Sequence, residues 1–132
     1  HNSAIISKTA KIGDGSVIMA HVIVNAEVKI GQHVILNSAS IVEHECRLEN
    51  FVHISPGVTL SGNIHVGEGT HIGSGAIIIP SIKIGKWCTI GAGTVVINDI
   101  PDGATVVGNP GKIIKIDNNY DIINYEKIVN SH

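Results

Sequence analysis

The sequence predicts an all-β domain in which short parallel strands wind into a three-sided prism. Three observations carry this. First, an aliphatic residue recurs every six positions without a break: Ile6, Ile12, Ile18, Val24, Ile30, Leu36, Val42, Leu48, Ile54, Leu60, Val66, Ile72, Ile78, Ile84, Ile90 and Val96. A period of six falls out of phase with both a 3.6-residue helix and two-residue alternation, but it suits one side of a triangular coil. Three sides then make a turn of eighteen residues, and side chains eighteen apart stack at the inter-strand spacing of about 4.8 Å. Second, the fourth residue after each beat is small or branched throughout, from Ala10, Ser16 and Val22 to Cys88, Thr94 and Ile100, as a narrow interior requires. Third, glycines gather one and three residues after the beat, among them Gly13, Gly15, Gly67, Gly69, Gly91 and Gly93, where the backbone must turn a corner.

Taken in order, the residue just before each beat faces outward, and reading it in steps of eighteen gives three stripes. The first is Ile5, Ile23, Ile41, Thr59, Ile77 and Val95; the second is Lys11, Lys29, Arg47, His65 and Lys83; the third is Val17, Ile35, His53, His71 and Thr89. An apolar strip of that length is expected to be buried against another chain, while the basic strip faces water. The apolar strip does not complement itself, so a head-to-tail contact closing as a ring, most simply a homotrimer, is expected. After Val96 the turn-rich run Asn98 to Gly103 reads as the exit from the prism. Val106 to Gly111 follows, and then an apolar strand over Ile113, Ile114, Lys115 and Ile116. The domain therefore reads as residues 1–116, with 117–132 a tail that forms either a short helix over about Asp121 to Val129 or an extended segment.

The bulk composition narrows the function. A chain of 132 residues is one domain in size, and a net charge of -2 gives no electrostatic case for nucleic acid or an acidic membrane surface. Gly, Asn and Asp interrupt every apolar run before it is long enough to span a bilayer, and no charged-then-apolar leader is present, so the sequence reads as soluble and cytoplasmic. The two cysteines, Cys46 and Cys88, both fall on inward positions, which argues against a disulfide framework and against an acyl-cysteine intermediate.

The chemistry concentrates between Ile41 and Pro56. His44 is the best candidate base, because an imidazole accepts a proton near neutral pH, and an adjacent carboxylate orients it and stabilises its charged form. Glu45 is that neighbour, with Glu43 as the other candidate. One coil above His44 stands Gly62, which leaves a gap where a side chain would be and offers a backbone N–H to an oxyanion. Against this, His44 also fits an ordinary solvated corner histidine, and Gly62 an ordinary corner glycine. His53 and His71 are eighteen apart and stack, but two histidines without a third ligand make a poor metal site, so no metal is expected. Phe51 and Trp87 share a corner two coils apart, where surface packing is the simpler reading.

Together the hexads, Val42-Glu43-His44-Glu45-Cys46, His53-Ile54-Ser55-Pro56 and Val107-Gly108-Asn109-Pro110-Gly111-Lys112 resemble the hexapeptide-repeat acyltransferases. Within these the likeness is to the NeuD/PglD group of sugar O- and N-acetyltransferases. The resemblance implies a left-handed parallel β-helix, here of about five coils, a homotrimer, and active sites between subunits. It implies that His44 is the general base and Glu45 the residue that raises its basicity. It also implies that His53 contacts acetyl-CoA, and that the positions of Ser74 and Ala92 do so mainly through backbone, with acetyl-CoA the co-substrate. His53 lies half a coil from His44, so a neighbouring subunit is needed to bring them together. The family usually carries an upstream Rossmann-like domain that binds the sugar nucleotide, and His1 falls where that domain ends; Gly111 stands where the family has Ala. The function implied is N-acetylation of a nucleotide-linked 4-amino-dideoxy sugar for bacterial surface glycans. The alternatives are O-acetylation of a sialic acid, or a non-catalytic trimeric scaffold, against which His44 and the space above it argue.

Overall fold

The computed structural model describes residues 1–117. Sixteen two-residue strands, from β1 (Ile5–Ile6) to β16 (Val95–Val96), each consist of a beat residue and the residue before it. Every pair among them joins residues eighteen apart in parallel, as in Ile23↔Ile41, Lys29↔Arg47 and His53↔His71. The three stripes are thus the outer surfaces of three sheets, and the molecule is a parallel β-helix. A two-residue strand has almost no hydrogen bonding of its own, so the ladder to the coils on either side supplies it.

Corners follow one rule. From Gly15 to Gly93 the third residue after each beat has a positive φ, and at nine corners that residue is not glycine, including Glu45 (62°), Phe51 (62°), Asn63 (60°) and Trp87 (54°). From His33 onward its N–H donates to a carbonyl nineteen residues earlier, for example Glu45 to Ala26 at 3.0 Å and Asn63 to His44 at 2.9 Å, while His21 and Glu27 donate to the hydroxyls of Ser3 and Thr9. These bonds hold side-chain-bearing residues in a conformation that costs about 1–2 kcal/mol relative to the ordinary regions.

Beat residues and the fourth residues after them fill the interior. From Val22 onward they are buried, with Leu36, Val52, Ile54 and Leu60 fully so. Corner backbone satisfies some of the inward hydroxyls: Thr70 Oγ1 donates to Gly85 O at 2.7 Å and accepts from Cys88 N–H at 3.0 Å, whereas Ser40 Oγ and Thr94 Oγ1 are buried without a hydrogen-bond partner among the described residues. Cys46 and Cys88 are each 1% exposed, and burial pushes the Cys46 thiol up to about 11 and the Cys88 thiol upward too. Ile6 and Ile12 face inward by phase but remain exposed, since they line the first coil and no earlier rung covers them.

The prism does not stop at Val96, and it has about six coils rather than five. Ile100 bridges to Ile84, and β17 (Ala104–Val107) pairs in parallel with β15 (Thr89–Ile90) through Thr89↔Thr105 and Ile90↔Val106. These partners are sixteen apart, so the last coil is two residues shorter and the six-residue phase lapses there. Ile100 is accordingly a beat, not the fourth residue after one, and Ala104 and Val106, both 0% exposed, carry the interior onward. β18 (Lys112–Ile116) folds back antiparallel on β17. The Gly108 to Gly111 turn between them, with a cis Asn109-Pro110 bond, continues the first sheet: Val95 N–H donates to Gly108 O and Gly111 N–H to Val95 O. The expected helix over Asp121 to Val129 lies outside the described residues. No helix among the described residues is long and apolar enough to cross a membrane.

Because Leu36 is fully enclosed by the coils above and below, Leu36→Ala is expected to lower unfolding stability by about 2–5 kcal/mol in urea titration. Leu36→Met is expected to cost less than about 1.5 kcal/mol.

Candidate functional site

His44 and Glu45 are the two turn residues between β7 (Ile41–Val42) and β8 (Arg47–Leu48), on the edge shared by the first and second faces. The left-handed φ of Glu45 swings its side chain back beside its neighbour, so that Glu45 Oε1 lies 3.7 Å from His44 Nδ1. Adjacent residues in a strand point to opposite sides; the corner is what lets these two meet. Glu43, the other candidate partner, is engaged elsewhere: Asn25 Nδ2 donates to its Oε2 at 2.8 Å. Both members of the His44–Glu45 pair are largely exposed, so their attraction is screened by water and has little weight for stability.

Gly62 lies one coil above, but the gap it leaves is not open space. A Cβ at position 62 would come within 2.6 Å of His44 Cε1 and 2.7 Å of Nε2, so the imidazole itself occupies the room that the missing side chain vacates. The ring folds along the prism axis onto the next coil instead of projecting sideways. Around Gly62 the ladder engages Ser61 N–H with Ile78 O, Asn63 N–H with His44 O, and Ser81 N–H with Gly62 O.

On the third face, β9 (His53–Ile54) and β12 (His71–Ile72) place His53 and His71 in register, with ring centroids 4.6 Å apart and planes within 4°. His71 Nε2 lies 2.9 Å from Ser55 Oγ, a contact between residues sixteen apart that the eighteen-residue stripes do not reveal. The same diagonal joins His65 Nε2 to Glu49 Oε1 at 2.9 Å, so a search at steps of sixteen finds both. Ser74 and Ala92 follow on the edge between the third and first faces, stacked one above the other, with Gly93 N–H donating to Ser74 O at 2.8 Å. Within one chain, therefore, His53, Ser74 and Ala92 share one side of the prism, while His44, Glu45 and Gly62 share an edge that the full width of the first face separates from Ser74 and Ala92.

The second face is less basic than its stripe suggests, because Glu49 takes both Arg47 (3.1 Å) and His65 (2.9 Å). A cleft of about 400 Å³ here is lined by Glu49, His65, Glu68, Lys83, Lys86 and Asp102 and holds none of the candidate residues. Phe51 stacks on His33, and Trp87, only 6% exposed, lies over Gly69, so both aromatics serve packing along their corner. Among the described residues no group of three His, Cys, Asp or Glu converges as a metal site.

The model of the bacterial transferase hexapeptide (six repeats) matches residues 63–98. No curated protein sequence matches the chain. Among solved structures, the acetyltransferase domain of PglB from Neisseria gonorrhoeae, in complex with acetyl coenzyme A, is similar with a TM-score of 0.86 and 48% identity, over 86% of this chain and 56% of that one. PerB from Caulobacter crescentus, in complex with CoA and GDP-perosamine, has a TM-score of 0.84 and 39% identity, over 87% of this chain and 56% of that one. WeeI from Acinetobacter baumannii has a TM-score of 0.66 and 34% identity, over 84% and 57%. The chain thus spans a little over half the length of these relatives.

Partial burial lowers the pKa of His71 below its ordinary 6.5. The folded state therefore binds fewer protons than the unfolded chain once the pH falls below about 6.5, so a modest stabilisation present above that pH is lost on acidification. Thermal melts from pH 8 to pH 5 are expected to show this loss, and His71→Phe, which cannot titrate, is expected to show a smaller one.

Proposed function

Because the chain belongs to the hexapeptide-repeat acyltransferases, we propose that it transfers an acetyl group from acetyl-CoA to the amine of a nucleotide-linked 4-amino-dideoxy sugar. The observation that carries this reading is the His44–Glu45 pair with its imidazole seated over Gly62. The solved relatives support it: one holds acetyl coenzyme A, and another holds CoA with GDP-perosamine. A closely similar Caulobacter structure is named a perosamine N-acetyltransferase, which favours an amine over the hydroxyl of a sialic acid as acceptor.

In this mechanism His44 takes a proton from the acceptor amine as its nitrogen bonds to the thioester carbonyl carbon, and the Glu45 carboxylate stabilises the imidazolium. The Gly62 N–H faces the developing oxyanion. The C–S bond then breaks, and the leaving thiolate takes the proton that His44 holds. His53 and the backbone edge at Ser74 and Ala92 receive the acyl donor. These donor residues stand apart from His44 within one chain, so the working site needs a neighbouring copy, with the third face of one subunit meeting the His44 edge of the next. The first face supports such an assembly, since Ile5 and Ile77 are 66% and 44% exposed in the single chain and form an apolar strip with Ile23 and Ile41. A homotrimer closes that contact as a ring. Both proposed substrates are water-soluble by chemical class, which supports the reading of a cytoplasmic reaction.

Thiol release from acetyl-CoA, assayed against amino-sugar nucleotides and sialic acids, is expected with the former. His44→Ala is expected to lower kcat by about 10²–10⁴-fold, and unaffected turnover would refute the mechanism. Gly62→Ala, whose methyl displaces the imidazole, is expected to lower kcat by at least about tenfold without loss of folded protein. Sedimentation should give the mass of three chains, and Ile41→Asp with Ile77→Asp should shift it to one chain and abolish turnover; a wild-type mass of one chain contradicts the shared site.

A further inference from the structure

The third face changes character in its middle. Its outward column runs Val17, Ile35, His53, His71 and Thr89, so two imidazoles lie in direct register between aliphatic residues on one side and a hydroxyl on the other. They are not loosely placed. The rings lie flat on each other at 4.6 Å and 4°, and His71 is tied at its other end by the 2.9 Å hydrogen bond with Ser55 Oγ. Ser55 is itself 6% exposed and anchored through its N–H to Ile72 O at 3.0 Å. A fixed serine thus holds His71, and the plane of His71 in turn fixes the plane of His53.

We propose that His71 is a positioning residue: clamped by Ser55, it holds the His53 imidazole flat against the third face so that one edge of that ring is presented to the acyl donor. The inference rests on the reading above that His53 belongs to the donor site. An outward histidine on a strand ordinarily samples several rotamers, and freezing one on binding costs affinity. A ring already held by a stacked neighbour has lost that freedom before the donor arrives. The stack also restrains charge. Strand β9 brings His53 against His71, β15 brings Thr89, and the adjoining corner brings Ser55, so His53 is the one titratable side chain these elements direct at it among the described residues. Two imidazolium rings face to face would repel, and burial disfavours charge on His71.

The test uses three variants of the full chain. His71→Ala removes the supporting ring, His71→Phe keeps a flat ring without the hydrogen bond, and Ser55→Ala releases the clamp. With His71→Ala the KM for acetyl-CoA and the calorimetric Kd for CoA are expected to rise about tenfold while kcat stays within about twofold. His71→Phe is expected to restore both to within about threefold of the wild type, and Ser55→Ala to fall between. A fall in kcat at unchanged KM and Kd, or no change in any of the three, overturns the proposal. NMR of the ligand-free protein decides the same point without the donor: His53 χ1 is expected to occupy one rotamer in the wild type and His71→Phe and to average in His71→Ala, and an unchanged χ1 overturns it. If His71→Ala does not fold, Ser55→Ala and His71→Phe carry both readouts. Wild-type protein that binds neither CoA nor acetyl-CoA, yet shows the χ1 pattern, refutes the donor-site reading and leaves the positioning of His53 established.

Discussion

No strand of the prism up to Val96 is longer than two residues, and none has a covalent neighbour beside it, since the chain always leaves for the next face. Each segment is held by parallel backbone hydrogen bonds to the coils eighteen residues before and after. That ladder is the constraint from which the rest follows. It requires the same residue count on every side, a buried side chain at the same point of each side, and a sharp corner after it. The ladder also tolerates strain: from His33 onward the non-glycine corner residues keep a left-handed φ with the N–H of each bound to a carbonyl nineteen residues back.

The corner geometry is also what makes chemistry available. At Glu45 it turns a sequence neighbour into a spatial partner of His44, and at Gly62 it provides a seat for the His44 ring on the next coil. A side chain at 62 would evict the ring, so the glycine acts through what it lacks. Elsewhere the same seat is used for packing, with Trp87 lying over Gly69 at another corner. One structural device therefore yields a stabilising contact in one column and a candidate base in another, and the residue type placed on it makes the difference.

The three faces divide the remaining work. The interior absorbs both cysteines and raises their thiols, which leaves them unfit as nucleophiles. The second face ties Arg47 and His65 into local pairs with Glu49. The first face keeps an apolar strip uncovered, and the third carries the stacked histidines beside the Ser74 and Ala92 edge. Candidate donor-binding and proton-accepting groups are separated on one chain by the shape of the prism, so an assembly of copies is the natural way for them to meet.

What the sequence determined by itself is the repeat: the sixteen beats, the inward positions, the outward stripes and the stacking of His53 on His71 are all arithmetic on a period of six, because a ladder transmits register without error as long as no residue is inserted or lost. It stopped being legible where that count changes, and the sixteen-residue last coil hid both Ile100 as a beat and Ala104–Val107 as a further strand. Likewise Glu45 and Glu43 are equivalent neighbours of His44 in the sequence, and Gly62 reads there as an empty space. Only the folded chain decided that Glu45 faces the imidazole while Glu43 binds Asn25, that the imidazole fills the space over Gly62, and that Ser55 clamps His71. Those outcomes depend on side-chain torsions at left-handed corners and on diagonal contacts between coils, which no period along the chain encodes.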